Sequence, residues 1–195
     1  MLVVGHPEQL TAAITYQDGS TASATKVSWT TDDAKVADVD ARGLLIPHAN
    51  GVATITATLG GIAGTRRVRV VPDYAGTWSG TFRVAACDGG WCGRHSTFEP
   101  TDATFRMTLT QEGLRVSGRI VLSQLEGVVS CELSDQGSLQ FDGMYTPPDL
   151  TWKEPEMRLW NTTVEGDRLL GTFWYGSPDR FELRGALTSV FRQVP

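Results

Sequence analysis

The chain has 195 residues, which is more than a typical single domain and fits two domains of about a hundred residues each. Its net charge is −5 and its basic residues are scattered, which argues against nucleic acid as a partner. No apolar run approaches the roughly 20 residues that cross a bilayer. We therefore expect a soluble protein with two modest cores, and we expect any export signal to lie upstream of Met1.

Short alternating runs of Val, Thr, Ile and aromatic residues recur between Gly, Asp, Asn and Pro, while helical periodicity is nearly absent. This pattern predicts an all-β protein. Within residues 1–73 the number and spacing of the runs are typical of a β-sandwich. The predicted strands there are 2–4, 9–16, 27–30, 36–39, 44–46, 52–59 and 65–71.

Three segments follow one another within residues 1–72: VGHPEQLTAAITYQDGS, VSWTTDDAKVADVDARGLL and ANGVATITATLGG. Together they resemble the group 2 bacterial immunoglobulin-like domain. The resemblance implies a surface module of the kind found in adhesins, in phage structural proteins and as a spacer in extracellular enzymes. In such a sandwich we expect Trp29 to fill the space between the sheets, Val36 and Val39 to cover it, and Gly43 to occupy a turn that requires positive φ.

The densest acidic cluster lies in the same part of the chain. Carboxylate oxygens of this kind could ligate calcium. The alternative is that they cap turns, which the absence of a glycine-centred calcium-loop pattern favours. We predict no metal site, and the calcium reading stays open. The residues concerned are Asp32, Asp33, Asp38 and Asp40.

After a hinge at residues 71–73, eight further strands are predicted, most of them joined by short hairpin signals. Eight strands in this order favour an antiparallel up-and-down β-barrel over residues 74–195. Large residues at alternating positions, such as Trp78, Phe82 and Phe173, predict a largely filled interior. Recurrent glycines, including Gly80 and Gly185, are expected to allow sharp coiling. The predicted strands are 76–86, 104–111, 115–122, 127–133, 138–144, 157–165, 168–175 and 180–192.

The triplet Gly76-Thr77-Trp78 together with Arg192 resembles the calycin arrangement of lipocalins and avidin-like proteins, in which a Trp near the start packs under an Arg near the end. This resemblance implies a calycin-like barrel. It also raises the alternative that the barrel carries a small molecule in an open cavity.

Two of the three cysteines, Cys87 and Cys92, enclose a tight loop with two glycines. We predict that they form a disulfide in an oxidising compartment, with Trp91 held outward beside it. A zinc site is the competing reading, but it needs four ligands and no second Cys/His pair is suitably spaced. Cys131 lies in an alternating strand pattern and is expected to be a buried, inert thiol.

Catalytic motifs are missing from the sequence. His6, His48 and His95 are too scattered for a metal triad or a nucleophilic triad. Paired carboxylates of a glycosidase stay a formal alternative, but glutamates on β-strands are usually solvated. We therefore predict no enzymatic activity and no cofactor. The glutamates available for such a pair are Glu132, Glu154, Glu156 and Glu182.

Aromatic residues in loops and at strand ends give the strongest indication of binding, because exposed rings stack on sugars and anchor protein partners. We predict a secreted or cell-surface bacterial protein in which the immunoglobulin-like domain is a spacer and the barrel binds a glycan or a protein. An accessory domain of a secreted enzyme is a further alternative. The predicted ligand-binding residues are Trp91, Tyr145, Trp152, Trp174 and Tyr175.

Overall fold

The computed structural model describes residues 1–89, 103–122, 125–144, 156–177 and 181–194. The secondary structure in these ranges consists of β-strands, which confirms the predicted all-β class. None of the described segments is a helix of the length and hydrophobicity that would span a membrane. The chain divides into two compact units, Met1–Asp73 and Tyr74–Pro195.

The first unit contains two sheets and a hairpin. One sheet has the strand order β1-β9-β8-β5, and the other has the order β2-β7-β6, while β3 and β4 pair only with each other. The strands are β1 (Leu2–Val3), β2 (Glu8–Gln9), β3 (Ala13–Thr15), β4 (Thr21–Ser23), β5 (Ser28–Thr31), β6 (Ala37–Val39), β7 (Leu44–Pro47), β8 (Gly51–Leu59) and β9 (Ile62–Val71).

The core of this unit draws on both sheets. The β8 strand alternates as predicted, because Ile55 is 1% exposed whereas Val52 is 42% exposed. From the other sheet, Leu45 is fully buried in the same apolar cluster, against which Trp29 packs. Gly43 has a φ of 81°, and a Cβ atom there would lie 3.1 Å from the Trp29 ring. The positive φ predicted for Gly43 is therefore confirmed, whereas Trp29 is half-buried and packs against the core cluster instead of filling it.

The second unit is one curled, antiparallel sheet of eight strands in the order β13-β12-β11-β10-β17-β16-β15-β14. Consecutive strands are neighbours within β10 to β13 and within β14 to β17, and the first strand, β10, pairs with the last, β17, so the predicted up-and-down order is confirmed in the described residues. The sheet forms half-barrels, and in the described residues no hydrogen-bonded ladder joins its edge strands β13 and β14. The strands are β10 (Gly76–Gly89), β11 (Ala103–Glu112), β12 (Arg115–Leu122), β13 (Leu125–Glu132), β14 (Phe141–Met144), β15 (Glu156–Glu165), β16 (Arg168–Ser177) and β17 (Phe181–Arg192).

Sharp coiling of this sheet depends on two glycines at close strand approaches. A Cβ atom on Gly80 would lie 1.7 Å from the carbonyl oxygen of Ser189, and one on Gly185 would lie 2.1 Å from the carbonyl oxygen of Arg83. The register between β10 and β17 also shifts at two places along this ladder. Residues without a side chain are thus required where the sheet bends most.

Tyr74 ties the start of the second unit to the far side of the sheet. Its hydroxyl lies 3.0 Å from the carbonyl oxygens of Gly137 and Thr162, and it accepts a hydrogen bond from the Leu139 N–H at 3.3 Å. The side chain is fully buried, and this burial raises the pKa of Tyr74, so the hydroxyl keeps its proton. These bonds link the segment between β13 and β14 to β15.

We predict that the two units fold independently, because no strand is shared between them. Separate expression of residues 1–73 and 74–195 should give two proteins that each unfold in one cooperative transition, measured by circular dichroism. A fragment that stays unfolded when expressed alone would contradict this prediction.

Replacing Tyr74 by Phe should lower the free energy of unfolding of the second unit by about 1–3 kcal/mol, because the buried backbone groups lose their partner. Chemical denaturation of the full chain measures this change. Tyr16→Phe is the matched control, since the Tyr16 side chain is 52% exposed and its hydroxyl can bond to water. Equal stability of the two variants would show that the Tyr74 hydroxyl contributes nothing.

Candidate binding surface

Trp174 lies on the outer face of the second unit, in the middle of a cross-strand row. It pairs with Arg158 on β15 and with Arg184 on β17. The guanidinium carbon of Arg158 lies 5.2 Å from the centroid of the Trp174 ring, within the range of a cation–π interaction. The half-buried Trp174 therefore has an arginine beside it on each neighbouring strand, and the arginine on β15 contacts its ring.

Glu182 fixes this arrangement further. It accepts a hydrogen bond from Nε of Arg184, and this bond lowers the pKa of the Glu182 carboxyl. A hydrogen bond with Trp174 lowers the pKa of Glu182 as well, although partial burial opposes both effects. Glu182 is consequently ionised at neutral pH and helps to hold Trp174 in place. A Trp ring with a fixed orientation suits stacking on a sugar or anchoring a protein.

Trp160 is an aromatic residue on the same outer face that the sequence analysis did not select. It pairs with Thr172, and the Thr172 hydroxyl donates to the Trp160 carbonyl oxygen at 3.1 Å. Trp160 lies two residues from Arg158 on β15, just as Thr172 lies two residues from Trp174 on β16. Trp160 and Trp174 are therefore diagonal neighbours across β15 and β16, and such neighbours are about 7–8 Å apart. The alternation of β15 predicts this position, because Trp160 lies two residues from Arg158 and therefore points to the same face of the strand.

The expectation that the Tyr175 ring is exposed is wrong. Tyr175 is 2% exposed and shares its face with the buried Phe173. Successive residues of a strand point to opposite faces, so Trp174 and Tyr175 cannot both lie outside. Tyr175 is a core residue of the second unit.

The other predicted site residues lie outside the described part of the chain. Trp91, Tyr145, Trp152 and Cys92 fall between described segments, and only the backbone of Cys87 is described. The disulfide and the role of these aromatic residues stay predictions. Cys131 is a free, half-buried cysteine, and burial raises the pKa of its thiol to about 11, in keeping with the expected inert thiol.

Large side chains fill the concave side of the eight-stranded sheet. Phe82 and Phe173 meet edge to face with their ring centroids 4.9 Å apart, and both are 1% exposed. Side chains from all parts of the sheet pack around them, as the predicted filled interior requires. Further buried members are Trp78, Phe105, Met107, Val116, Ile120, Val129, Leu159, Leu169, Leu187 and Val190.

Trp78 and Arg192, which the calycin resemblance paired, do contact each other. The guanidinium carbon of Arg192 lies 4.5 Å from the Trp78 ring centroid, and its Nη1 donates to the Ala75 carbonyl oxygen at 2.6 Å. The Trp78 indole donates to the Tyr74 carbonyl oxygen at 2.8 Å. A Trp under an Arg is a local packing solution, and the comparisons with known proteins do not support a calycin relationship.

Two of the glutamates considered for catalysis have described side chains, and these lie on different strands and each contact an arginine. Glu132 on β13 faces Arg115 at 3.8 Å, and Glu182 on β17 bonds to Arg184. Glu154 and His95 lie outside the described residues, and of Glu156 only the backbone is described. Within the described ranges, no three His, Cys, Asp or Glu side chains are placed to hold a metal ion.

A known protein family matches the first unit of the chain. Residues 1–70 match the family model of the bacterial Ig-like domain, group 2. The first unit is an Ig-like domain of this group. The resemblance predicted for residues 1–72 is thereby confirmed over its first seventy residues.

One relative and one solved structure are also similar to this chain. Ice-binding protein 1 of Shewanella frigidimarina is 40% identical over 70 residues, which are 35% of this chain and 8% of that protein. The structure of domains 4–9 of the surface layer protein SbsC aligns over 95% of this chain and 38% of its own, with 12% identity and a TM-score of 0.33. That score does not establish a shared fold.

In the Ig-like domain, the carboxylates of the acidic cluster accept backbone N–H groups, and two of them, Asp33 and Asp40, cap their own turns, as one of the two readings predicted. Asp38 accepts the N–H of the next residue in β6, and Asp32 accepts an N–H from β8. The donors are Thr54 N–H to Asp32 at 2.6 Å, Lys35 N–H to Asp33 at 3.0 Å, Val39 N–H to Asp38 at 2.8 Å, and Arg42 and Leu44 N–H to Asp40 at 2.8 Å each.

The stability of the Ig-like domain should fall in acid. Backbone hydrogen bonds from Leu44 and Thr54 lower the pKa of Asp40 and of Asp32 below the ordinary value of about 3.9. A carboxyl whose pKa is lower in the folded state stabilises the fold above its unfolded pKa, and this contribution is lost as the pH falls through the folded pKa. The loss is expected below about pH 4.

Asp40→Asn should remove part of this dependence. At pH 7 we expect the variant to be less stable than the natural domain, and as the pH falls through the lowered pKa of Asp40 the difference should shrink. Denaturation of the full chain at each pH, monitored through the NMR signals of β8, measures this difference in stability. A difference that is constant across the pH range would contradict an electrostatic role for Asp40.

Proposed function

We propose that this chain belongs to an extracellular or cell-surface bacterial protein that binds a partner without catalysing a reaction. The Ig-like domain is a spacer, and the eight-stranded unit presents its outer face to a glycan or a protein. The observation that carries the proposal is the Trp174 ring, which Arg158 and Glu182 hold on an outer face rather than in the core.

A spacer role for the first unit is supported by how its side chains are used. Its large apolar residues pack between the sheets, and the acidic cluster serves backbone N–H groups. Membership of a bacterial Ig-like family and similarity to a short stretch of a much longer bacterial protein both fit a module repeated among surface proteins. The ligand of that relative is a property of the relative, because this chain spans 8% of its length.

A binding role for the second unit is favoured over a carrier role. A small-molecule carrier needs an unfilled apolar cavity, whereas Phe82, Phe105 and Phe173 occupy the concave side of this sheet. It is also favoured over hydrolysis by a carboxylate pair, since Glu132 and Glu182 lie on different strands and each faces its own arginine. The outer face is what this unit offers to a partner.

A glycan array and a pull-down from cell-surface extracts, both with the full chain, test the proposal. We expect at least one ligand class to be bound, and Trp174→Ala to weaken this binding tenfold or more, because a ring that anchors a partner contributes about 2 kcal/mol or more. Phe191→Ala is the matched control, since Phe191 lies on the outer face of the neighbouring strand β17 and is 42% exposed. The same assay on alanine variants of Trp91, Tyr145 and Trp152 tests those predicted contacts.

Two outcomes would overturn the proposal. One is the absence of binding above background in both assays. The other is binding that Trp174→Ala and Phe191→Ala reduce equally, which would remove Trp174 as the anchor. Arg158→Gln refines the result, because it removes the cation over the ring while the ring itself remains.

A further inference from the structure

A groove of about 480 Å³ lies across the neighbouring strands β10, β11 and β12 of the second unit. Trp174 lies on β16, in the other half of the same sheet. Arg106 on β11 pairs with Ser79 on β10 and with Val121 on β12, so these three residues form one cross-strand row. Thr104 precedes Arg106 by two residues on the same strand and therefore lies on the same face. All four residues line the groove.

Arg106 differs in its contacts from several described arginines. Arg66, Arg115 and Arg184 face carboxylates, and Arg168 donates to a backbone carbonyl. For the exposed side chain of Arg106, the described structure records neither a hydrogen bond nor an ion pair. The hydroxyls of Ser79 and Thr104 likewise have no recorded partner among the described residues.

A guanidinium between two hydroxyls is the donor set of a site for an anionic group. Arginine presents parallel N–H groups that bind a carboxylate or a sulfate through two hydrogen bonds. Hydroxyl groups both donate and accept, so Ser79 and Thr104 match the ring hydroxyls of a sugar. Val121, Gly80 and Phe105 complete the lining of the groove, and the Val121 side chain gives it an apolar surface against which a sugar ring can lie.

We propose that this groove, which we name the Arg106 groove, binds an acidic glycan, with its carboxylate or sulfate group on Arg106. The overall charge of −5 and the presence of one guanidinium in the lining of this groove disfavour a dense polyanion such as nucleic acid, because such a ligand is held by many cations together. A sugar polymer with spaced charges fits one cation flanked by hydroxyls. The site goes beyond the proposed function, since it uses none of the residues around Trp174.

The test is a titration of the full chain with three oligosaccharides of equal length: one of uronic acids, one carrying sulfate esters and one neutral. Measurements at about 0.15 M salt suppress long-range attraction, because the Debye length is then about 8 Å. We expect one or both acidic oligosaccharides to bind at least tenfold more tightly than the neutral one. The better of the two acidic probes distinguishes a carboxylate from a sulfate ligand.

Variants separate a built site from general charge. Arg106→Gln should weaken acidic binding tenfold or more, and Arg106→Lys should weaken it less, because it keeps the charge but loses the paired hydrogen bonds. Arg115→Gln is the matched control, since Arg115 is an exposed arginine on the same sheet and the charge change is identical. We expect Arg115→Gln to change affinity less than twofold.

The inference is overturned if none of the three probes binds, if the neutral probe binds as tightly as the acidic ones, or if Arg106→Gln and Arg115→Gln have equal effects. Trp174→Ala distinguishes this site from the proposed function. Acidic binding that survives Trp174→Ala and is lost in Arg106→Gln supports the Arg106 groove. Acidic binding that is lost in Trp174→Ala and survives Arg106→Gln contradicts the groove and assigns the ligand to the surface around Trp174.

Discussion

The pairing of β10 with β17 is the interaction on which the second unit depends. In the described residues this ladder joins two four-stranded halves, β10 to β13 and β14 to β17, into one sheet. The halves come together with Phe82 of one against Phe173 of the other, and the Arg192 guanidinium covers Trp78 at the end of the ladder. Without this pairing neither half could bury its apolar face, because a sheet of four strands needs something to pack against.

The two outer surfaces proposed for binding lie on opposite sides of this ladder. Trp174 belongs to the half formed by β14 to β17, and Arg106 belongs to the half formed by β10 to β13. Both residues stand on strands whose inner faces are fully packed, so their backbones are held by the core. The backbone that carries these two side chains therefore needs no ordering when a partner binds. The interior of the sheet thus supports binding without taking part in it.

The sequence predicts strands well where apolar and polar residues alternate, and poorly where they do not. All eight strands of the second unit follow from alternation, and the turns follow from residues such as Gly113 and Gly166, whose φ values are 60° and 64°. The predicted strand 9–16 is interrupted because the Leu10 N–H bonds to Gly43 of another segment. β4 was missed since Thr21–Ser23 is exposed throughout and carries no alternation.

The site is less predictable than the fold, because aromatic content does not reveal orientation. Trp174 and Tyr175 are adjacent, but only Tyr175 lies on the same face of the strand as the core residue Phe173. Tyr175 is therefore the buried one of the two. Arg106 carries no signal in the sequence at all, since its lack of a partner depends on which residues β10 and β12 place beside it. Pairing between strands remote in sequence sets such surroundings, and no local pattern encodes it.

The terminal strands of the two units also determine how each responds to mechanical tension along the chain. In the Ig-like domain β1 runs parallel to β9, so pulling on the ends shears the two strands and all their hydrogen bonds resist together. In the second unit β10 and β17 are antiparallel, and Trp78 lies opposite Arg192 near both chain ends. Tension there separates the strands one hydrogen-bonded pair at a time, beginning at the Arg192–Trp78 stack. Under tension applied through its terminal strands, the second unit would therefore open at a lower force than the Ig-like domain.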